Sequence, residues 1–274
     1  MVPLTHPAVW RCYPFGRPLG ALEVPGVPGW SHLGARLGRV ARCVAVTAIT
    51  FAHRGARLEA PENSLPAFRL ALDAGVTGLE TDVWLSGDGI VVCAHDPTVG
   101  KGLRRHKLAS TSAAELAGLG VPTLESVYVE LGTGFQLSVD VKEDRAAQPL
   151  LEVARQNGAL ERLWVCSPDL DLLRSLREEQ DVKLVHSTRR KAIDTPLERH
   201  AFDLGQAGID AMNMHHSEWT AGLVSLFHRF DVKAFAWDAQ EVRHLRAVLK
   251  MHIDGVYCDR PDRMVATVAE WSEE

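Results

Sequence analysis

The chain lacks any run of about 18 apolar residues, the length typical of a membrane-spanning helix. It also lacks an excess of basic residues, because its 274 residues carry a formal net charge of −5. We therefore expect neither a transmembrane segment nor a nucleic-acid partner. Hydrophobic residues make up 46% of the chain, which is enough for the core of one large α/β domain.

Cysteine is scarce and shows no pairing pattern. No two cysteines form a Cys-x-x-Cys motif, and the five lie far apart: Cys12, Cys43, Cys93, Cys166 and Cys258. We expect reduced thiols, most of them buried in strands. This favours a cytoplasmic protein, because stable disulfides belong to oxidising compartments.

Residues 1–44 differ in composition from the rest of the chain. They contain six prolines and five arginines but a single acid, Glu23. A secretory signal has a continuous apolar core after its basic residues, whereas proline interrupts this stretch throughout. We predict a flexible Pro/Arg-rich N-terminal extension in residues 1–44 and one folded domain in residues 45–274.

From residue 46 onward, β-rich runs alternate with helical periodicity, which is typical of an α/β fold of the barrel type. The eight predicted strands are Val46–His53, Gly78–Val83, Phe135–Val141, Arg162–Cys166, Val182–His186, Ile209–Met214, Val232–Trp237 and Gly255–Cys258. The first predicted helix begins after Ser64 and ends at Gly75, and the others cover about Leu124–Leu131, Ala146–Asn157, Pro168–Glu179, Pro196–Ala207, Ser217–Phe230, Ala239–Met251 and Pro261–Trp271.

Two acids, Glu80 and Asp82, lie two positions apart in the second predicted strand. Alternate residues of a strand point to the same face, and two buried acids on one face repel each other unless a cation lies between them. A second strand repeats the spacing with Asp140 and Lys142. Asp140 can complete an oxygen ligand set for Ca²⁺ or Mg²⁺, and Lys142 can then hold a phosphate oxygen.

A hairpin turn is predicted at Ser86–Gly89, between the runs Leu79–Leu85 and Ile90–His95. A symmetric turn at this point sets His95 opposite Glu80, beside the predicted metal. A register slip of one residue would undo this placement.

Seven short motifs follow one another after residue 45: His53-Arg54-Gly55, Pro61-Glu62-Asn63, Glu80-x-Asp82, His95-Asp96, Pro122-Thr123-Leu124-Glu125, Asp140-x-Lys142 and Asp259-Arg260-Pro261. One such motif would be weak evidence, whereas the ordered series is specific. In this order they resemble the glycerophosphodiester phosphodiesterase family, over nearly everything after residue 45.

The resemblance implies a TIM-type (β/α)8 barrel, to which the sequence adds a β-hairpin and a short insertion after strand 2. The residues that it implies are His53 and His95 as acid and base, Arg54 and Lys142 as phosphate contacts, and Glu80, Asp82 and Asp140 as ligands of one divalent cation, Ca²⁺ or Mg²⁺, with Mn²⁺ as a further candidate. One departure is visible: the family usually has glutamate at position 140, and aspartate is shorter by one methylene.

The implied reaction is metal-dependent hydrolysis of a small glycerophosphodiester to an alcohol and glycerol 3-phosphate. One imidazole removes a proton from water or from a neighbouring glycerol hydroxyl, and the other protonates the leaving alcohol. Which histidine does which, which hydroxyl attacks, which alcohol leaves and the oligomeric state stay open at this point.

Two other functions fit the same motifs. One is a lysophospholipase D-type lipid phosphodiesterase, which needs an apolar groove at the barrel mouth. The other is a non-catalytic phosphate-binding barrel, which normally lacks one of the histidines or metal acids. The segment from about Pro97 to Val121 is short and basic, which suits a small soluble diester better than a lipid.

The metal site has a structural alternative, in which Glu80 and Asp82 form ion pairs with Arg54 and Lys142 and need no metal.

Three more residues are candidate substrate contacts: Glu62, Asn63 and Trp237. Asn63 and Ser64 can instead merely cap the helix that follows them. Trp237 ends the seventh predicted strand and can instead pack in the core.

Overall fold

The computed structural model describes residues 48–100, 102, 105–179 and 181–273, so the predicted extension of residues 1–44 lies outside the described residues. Within these residues, eight parallel strands close into a barrel in the order β1-β2-β6-β7-β8-β9-β10-β11, with β11 paired to β1. Their bounds are β1 (Ile49–His53), β2 (Gly78–Leu85), β6 (Gln136–Val141), β7 (Leu163–Ser167), β8 (Lys183–Ser187), β9 (Ala211–His215), β10 (Lys233–Trp237) and β11 (Gly255–Cys258). The eight predicted barrel strands are therefore confirmed.

The helices of the described residues follow the barrel strands, as a (β/α)8 barrel requires, and the last helix follows the last strand. They are α1 (Leu65–Asp73), α2 (Ala113–Gly118), α3 (Leu124–Leu131), α4 (Ala147–Gln156), α5 (Leu170–Ser175), α6 (Leu197–Gln206), α7 (Ala221–His228), α8 (Val242–Lys250) and α9 (Pro261–Glu273). Within the described residues, no helix is long and apolar enough to cross a membrane.

The first helix begins where the sequence indicates. The Ser64 side chain accepts a hydrogen bond from the Ala67 N–H, so Ser64 is the N-cap of α1. Phe68 is fully buried against the outer face of the sheet, while Leu65 and Leu72 are partly buried against the same core. By contrast, α2 was not predicted; it lies in the insertion after the second barrel strand.

A short strand, β3 (Val91–Cys93), pairs antiparallel with the end of β2 and forms the predicted hairpin. Its register differs from the symmetric prediction by one residue, since Val83 lies opposite Cys93. The prediction that His95 pairs with Glu80 is therefore wrong: β3 ends before His95 is reached.

The reason for this shift is the length of the hairpin loop. Ser86 N–H donates to Ile90 O at 2.9 Å, and Gly89 N–H donates to Ser86 O at 3.0 Å, which leaves three residues in the loop. Gly89 has φ +80°, the left-handed conformation that closes a three-residue hairpin. Two further short strands, β4 (Thr98–Val99) and β5 (His106–Lys107), pair within the insertion.

Aromatic side chains fill the barrel interior below the carboxyl ends of the strands. Phe51 stacks on Tyr257 with ring centroids 4.7 Å apart, and Trp164 meets Phe235 edge-on at 5.0 Å. All four are buried. Strand residues alternate between faces, so the next inward-facing side chains come two residues after this aromatic layer. They lie on its side toward the carboxyl ends of the strands.

The loop after β1 has an unusual backbone. Arg54 has φ +56° and Gly55 has φ +76°, two consecutive residues in the left-handed region, and such conformations cluster at functional sites. Gly55 also packs tightly, because an added Cβ would lie 2.7 Å from the backbone carbon of Ala67 in α1. The loop that carries Arg54 therefore depends on a glycine at position 55.

We expect Gly55→Ala to lower the free energy of unfolding by more than about 2 kcal/mol, since left-handed backbone costs an L-residue roughly 1–2 kcal/mol and the clash with α1 adds to it. Urea denaturation measures the loss. Gly89→Ala is the matched control, because Gly89 also has positive φ but open space around it. Equal losses in the two variants would contradict the packing argument.

Candidate active site

Three carboxylates from neighbouring strands meet inside the carboxyl end of the barrel. Asp82 of β2 lies opposite Asp140 of β6 in the parallel register, and Glu80 lies one inward position below. One oxygen from each of the three acids lies within 4.8 Å of the others. The shorter side chain of Asp140 therefore still reaches the other two acids.

Two cations already neutralise part of this cluster. Lys142 Nζ lies 2.7 Å from Asp82 Oδ1 and 3.2 Å from Asp140 Oδ2, and Arg54 Nε lies 3.2 Å from Asp82 Oδ2. Burial alone would lower the pKa of Lys142, but the carboxylates of Asp140 and Asp82 outweigh it and raise that pKa. The ion pairs of the metal-free alternative are thus present for Asp82 but, among the described residues, not for Glu80.

Glu80 is the member of the cluster that these cations leave out. Among the described residues it has no ion pair with lysine or arginine. Its Oε2 accepts the backbone N–H of Arg54 at 2.9 Å and lies 3.9 Å from His53 Nε2. Burial, followed by the charge of Asp82, raises the pKa of Glu80 to about 8. The site therefore favours the uncharged form of Glu80 unless another cation binds beside it.

The donor set fits a hard divalent cation. Three carboxylates supply oxygen ligands of the kind that Ca²⁺ and Mg²⁺ prefer. Among the described residues, no lysine or arginine forms an ion pair with Glu80, so its carboxylate is available to a cation. Asp140 resembles Glu80 in its raised pKa, because burial raises that pKa in spite of the nearby Lys142 ammonium.

His53 lies at the end of β1, directly beside Glu80 in the register. Its Nδ1 is 2.6 Å from Asp259 Oδ1. Burial alone would lower the pKa of His53, but the Glu80 carboxylate and the hydrogen bond with Asp259 outweigh it and raise that pKa. The contact with Asp259 keeps a proton on Nδ1 and leaves Nε2 facing the acid cluster.

His95 is held differently and stands apart from these contacts. Its Nδ1 lies 2.8 Å from Asp96 Oδ1, and its backbone oxygen accepts the Trp84 indole N–H at 3.2 Å. The backbone N–H of Ala94 donates to Asp82 O at 2.9 Å, so the chain passes the acid cluster one residue before His95. Among the described residues, no hydrogen bond or ion pair joins the His95 ring to His53 or to the three acids.

The Arg54 guanidinium also forms an ion pair with Glu62. Its Nη1 donates to Glu62 Oε1 at 3.1 Å, and Arg57 Nη2 pairs with Glu62 Oε2 at 2.7 Å. Asn63 is buried, donates to Asp82 Oδ2 at 3.2 Å and accepts the Thr81 hydroxyl at 2.7 Å. Glu62 and Asn63 therefore orient Arg54 and Asp82, and the helix cap is Ser64 instead of Asn63.

A cavity of about 540 Å³ opens above the cluster. Five of the ten predicted site residues line it, namely His53, Arg54, Glu80, Asp140 and Trp237, whereas Glu62, Asn63, Asp82, His95 and Lys142 are not part of the lining. The other lining residues are Arg57, Ser138, Ser187, Thr188, Arg189, Asn213, Asp238, Gln240, Tyr257 and Asp259. The Trp237 side chain thus lines the cavity and also packs, partly buried, against the aromatic core of the barrel.

Comparison with known proteins agrees with this geometry. A family model described as the glycerophosphoryl diester phosphodiesterase family matches residues 53–263. The match spans more than half of the chain and includes every predicted catalytic, phosphate-contacting and metal-binding residue. The chain belongs to this family. Membership makes the protein a glycerophosphodiester phosphodiesterase, that is, a phosphoric diester hydrolase.

Individual relatives cover the same part of the chain. A glycerophosphodiester phosphodiesterase of Caldanaerobacter subterraneus subsp. tengcongensis is 23% identical over 242 residues, which is 80% of this chain and 97% of the relative. The crystal structure of the Thermotoga maritima glycerophosphodiester phosphodiesterase is 25% identical with a TM-score of 0.71, covering 80% of this chain and 97% of that one.

A third protein was solved with a bound product. It is a phosphodiesterase of Oleispira antarctica in complex with sn-glycerol-3-phosphate, 23% identical to this chain with a TM-score of 0.69, covering 80% of this chain and 96% of that one. At this identity the likeness shows the barrel fold that the two phosphodiesterases share.

Two residues of this phosphodiesterase that line the cavity, Asp259 and Arg57, had no predicted role. Asp259 follows β11, which pairs with β1 so that Cys258 lies opposite Ala52, and this places Asp259 beside His53. The Asp259-Arg260-Pro261 motif was the available signal, but only the closure of the last strand on the first one explains the contact. Arg57 had no signal beyond its place in the loop after β1.

We expect Asp259→Asn to lower kcat by about tenfold to a hundredfold, because small losses of catalytic geometry have effects of this size. The ionisation of His53 should also move to lower pH, since a negative charge that raises its pKa is removed. The pH profile of kcat/KM measures both changes.

Asp262→Asn is the control, because Asp262 is exposed in the first turn of α9. If the pH profile of Asp259→Asn matched that of the unsubstituted enzyme, Asp259 would have no role in holding His53.

Proposed function

We propose that the protein hydrolyses small glycerophosphodiesters to an alcohol and glycerol 3-phosphate with the help of one divalent cation and two histidines. The observation that carries the proposal is the buried carboxylate of Glu80, which faces His53 Nε2 in a polar cavity and has no lysine or arginine partner among the described residues. The product bound to the Oleispira antarctica phosphodiesterase supports the assignment of glycerol 3-phosphate.

Glu80, Asp82 and Asp140 are the residues that would hold the cation, Ca²⁺ or Mg²⁺, with Mn²⁺ as a further candidate. When bound, a hard divalent cation withdraws charge from a phosphate oxygen. A bound cation would also place a positive charge beside Glu80 and so favour the ionised form of that carboxylate.

Arg54 and Lys142 are the proposed phosphate contacts. A phosphodiester is anionic and gains charge as it is attacked, so fixed cations at this point stabilise the transition state more than the ground state. Arg54 lines the cavity, and its guanidinium is held by Glu62 and Asp82. Lys142 is tied to Asp82 and Asp140 at the edge of the same cluster.

His53 and His95 are the proposed proton-transfer pair. Each ring has a carboxylate on Nδ1, from Asp259 at 2.6 Å and from Asp96 at 2.8 Å respectively. A carboxylate on Nδ1 fixes the tautomer and leaves Nε2 to exchange protons with the substrate. One Nε2 takes the proton of the attacking hydroxyl, and the other returns a proton to the leaving alcohol.

The cavity walls favour a small polar substrate over a lysolipid. Its lining is dominated by charged and polar side chains, with Trp237 and Tyr257 as the aromatic members, whereas a lipid phosphodiesterase needs an apolar groove for the acyl chain. A non-catalytic barrel is disfavoured because both histidines and all three acids are present.

Two broader assignments belong to the same proposal. Residues 45–274 form the catalytic domain, which the family match to residues 53–263 supports. A cytoplasmic location is supported by the free, buried thiols of Cys93, Cys166 and Cys258, which need no oxidising compartment.

The histidine pair is tested with two alanine variants and two substrates. His53→Ala and His95→Ala should each lower turnover of glycerophosphoethanolamine by at least about a hundredfold, the usual scale of general acid–base catalysis. A nitrophenyl phosphodiester should restore activity in one variant only, the one that lost the general acid, because nitrophenolate leaves without a proton.

His252→Ala serves as the control, since His252 lies in the turn after α8 at the opposite end of that helix from the β10–α8 loop. Near-normal turnover of both active-site variants, with unchanged thermal unfolding, would contradict the proposed mechanism.

A further inference from the structure

An arginine outside the acid cluster forms one wall of the cavity. Arg189 follows β8 by two residues, and its guanidinium carbon lies 5.2 Å from the ring centroid of Trp237 at the end of β10. Both side chains line the cavity. A guanidinium at this distance from an indole face is held by a cation–π interaction.

The carboxylate of Glu218 holds this arginine in place. Arg189 Nε donates to Glu218 Oε1 at 3.0 Å, and Glu218 Oε2 accepts the backbone N–H of Arg190 at 3.2 Å. Only the Nε edge of the guanidinium is used in this way. Among the described residues, none accepts a hydrogen bond from its terminal Nη1 and Nη2 groups, which are the fork that binds a carboxylate or phosphate in bidentate fashion.

The wall formed by Arg189 and Trp237 lies across the barrel from the acid cluster. These residues flank the end of β9, and β9 is the fourth strand from β2 in either direction around the eight-stranded barrel. A diester whose phosphate binds at Arg54 and Lys142, beside the acid cluster, therefore has one arm that can extend toward this wall. The two arms of the diester are glycerol and the alcohol that is released. Glycerol carries only hydroxyl groups, so a fixed charge on the wall suits a released alcohol that is itself charged.

Asp238 adds the opposite charge next to the arginine. It lines the cavity beside Trp237, is half-exposed, and lies 3.2 Å from His215 Nε2. A carboxylate with further acceptor capacity suits the ammonium of an amino alcohol. The aromatic face that would receive a quaternary ammonium is already taken, because the Arg189 guanidinium covers Trp237.

We propose that Arg189 is a specificity-determining residue that selects diesters whose alcohol arm carries a carboxylate, as in a seryl headgroup, and disfavours quaternary ammonium headgroups. This inference rests on the proposed function, because it concerns the alcohol arm of the same diester. The Nη fork binds the carboxylate, Asp238 faces the ammonium, and Trp237 with Glu218 holds the fork in place.

The test compares three substrates that differ in single groups. Glycerophosphoserine differs from glycerophosphoethanolamine by one carboxylate, and glycerophosphocholine differs from the latter by three N-methyl groups. The intact enzyme should have a higher kcat/KM for the seryl than for the ethanolamine diester. Arg189→Gln should lower that ratio by about tenfold to a hundredfold, the effect expected when a charge-assisted bidentate contact is lost.

Two further variants sharpen the comparison. Arg189→Lys keeps the charge without the fork and should lose most of the preference. Arg190→Gln removes the same charge one residue away, from an exposed side chain outside the cavity lining, and should keep it. Arg189→Gln should also raise kcat/KM for glycerophosphocholine, because the face of Trp237 becomes free.

Each outcome bears on the inference. An unchanged thermal unfolding transition shows that Arg189→Gln is folded, and a lower seryl-to-ethanolamine ratio in that variant then supports the inference. An unchanged seryl-to-ethanolamine ratio in that variant would overturn the role of Arg189 and leave the proposed function standing. Absence of hydrolysis of all three diesters by the intact enzyme would overturn the proposed function and the inference together.

Discussion

The buried carboxylate of Glu80 is the constraint on which the rest of the site depends. A charged acid inside a barrel is destabilising unless a positive group lies beside it. The two nearby cations, Lys142 and Arg54, are engaged by Asp82 and Asp140, whereas Glu80 contacts the backbone N–H of Arg54 and the ring of His53. Burial, followed by the charge of Asp82, raises the pKa of Glu80. A divalent cation would supply a positive charge beside Glu80 and would bind a phosphate at the same point.

The barrel explains why these groups meet at all. Inward-facing positions alternate along each strand, and the lower ones are filled by aromatic rings such as Phe51 and Phe235. These rings occupy the barrel interior, so the side chains at the next inward positions, including Glu80, lie near the carboxyl ends of the strands. Active sites of barrels form at this end. Closure between β11 and β1 then brings Asp259 to His53 from the far end of the sequence.

Much of this arrangement follows from local sequence patterns. The strands, the Ser64 cap and the inward pairing of Glu80 with Asp82 depend on spacings of two to four residues, and these were predicted correctly. The hairpin register was not, because it depends on whether the loop has two or three residues, and the positive φ of Gly89 decides that. The contact between Asp259 and His53 joins residues about 200 positions apart and needs the barrel to close. The wall of Arg189 and Trp237 joins the ends of β8 and β10, two strands that are not consecutive in the chain.

The most direct test of the account is the metal content of the protein and its link to activity. Protein stripped with chelator and then dialysed against Ca²⁺, Mg²⁺ or Mn²⁺ should bind one divalent ion per chain by elemental analysis, and hydrolysis should disappear on stripping and return with the ion. Glu80→Gln should fold normally but lose both, because the buried carboxylate is the group that lacks a partner. Full hydrolysis by protein shown to be free of divalent metal would contradict the central claim.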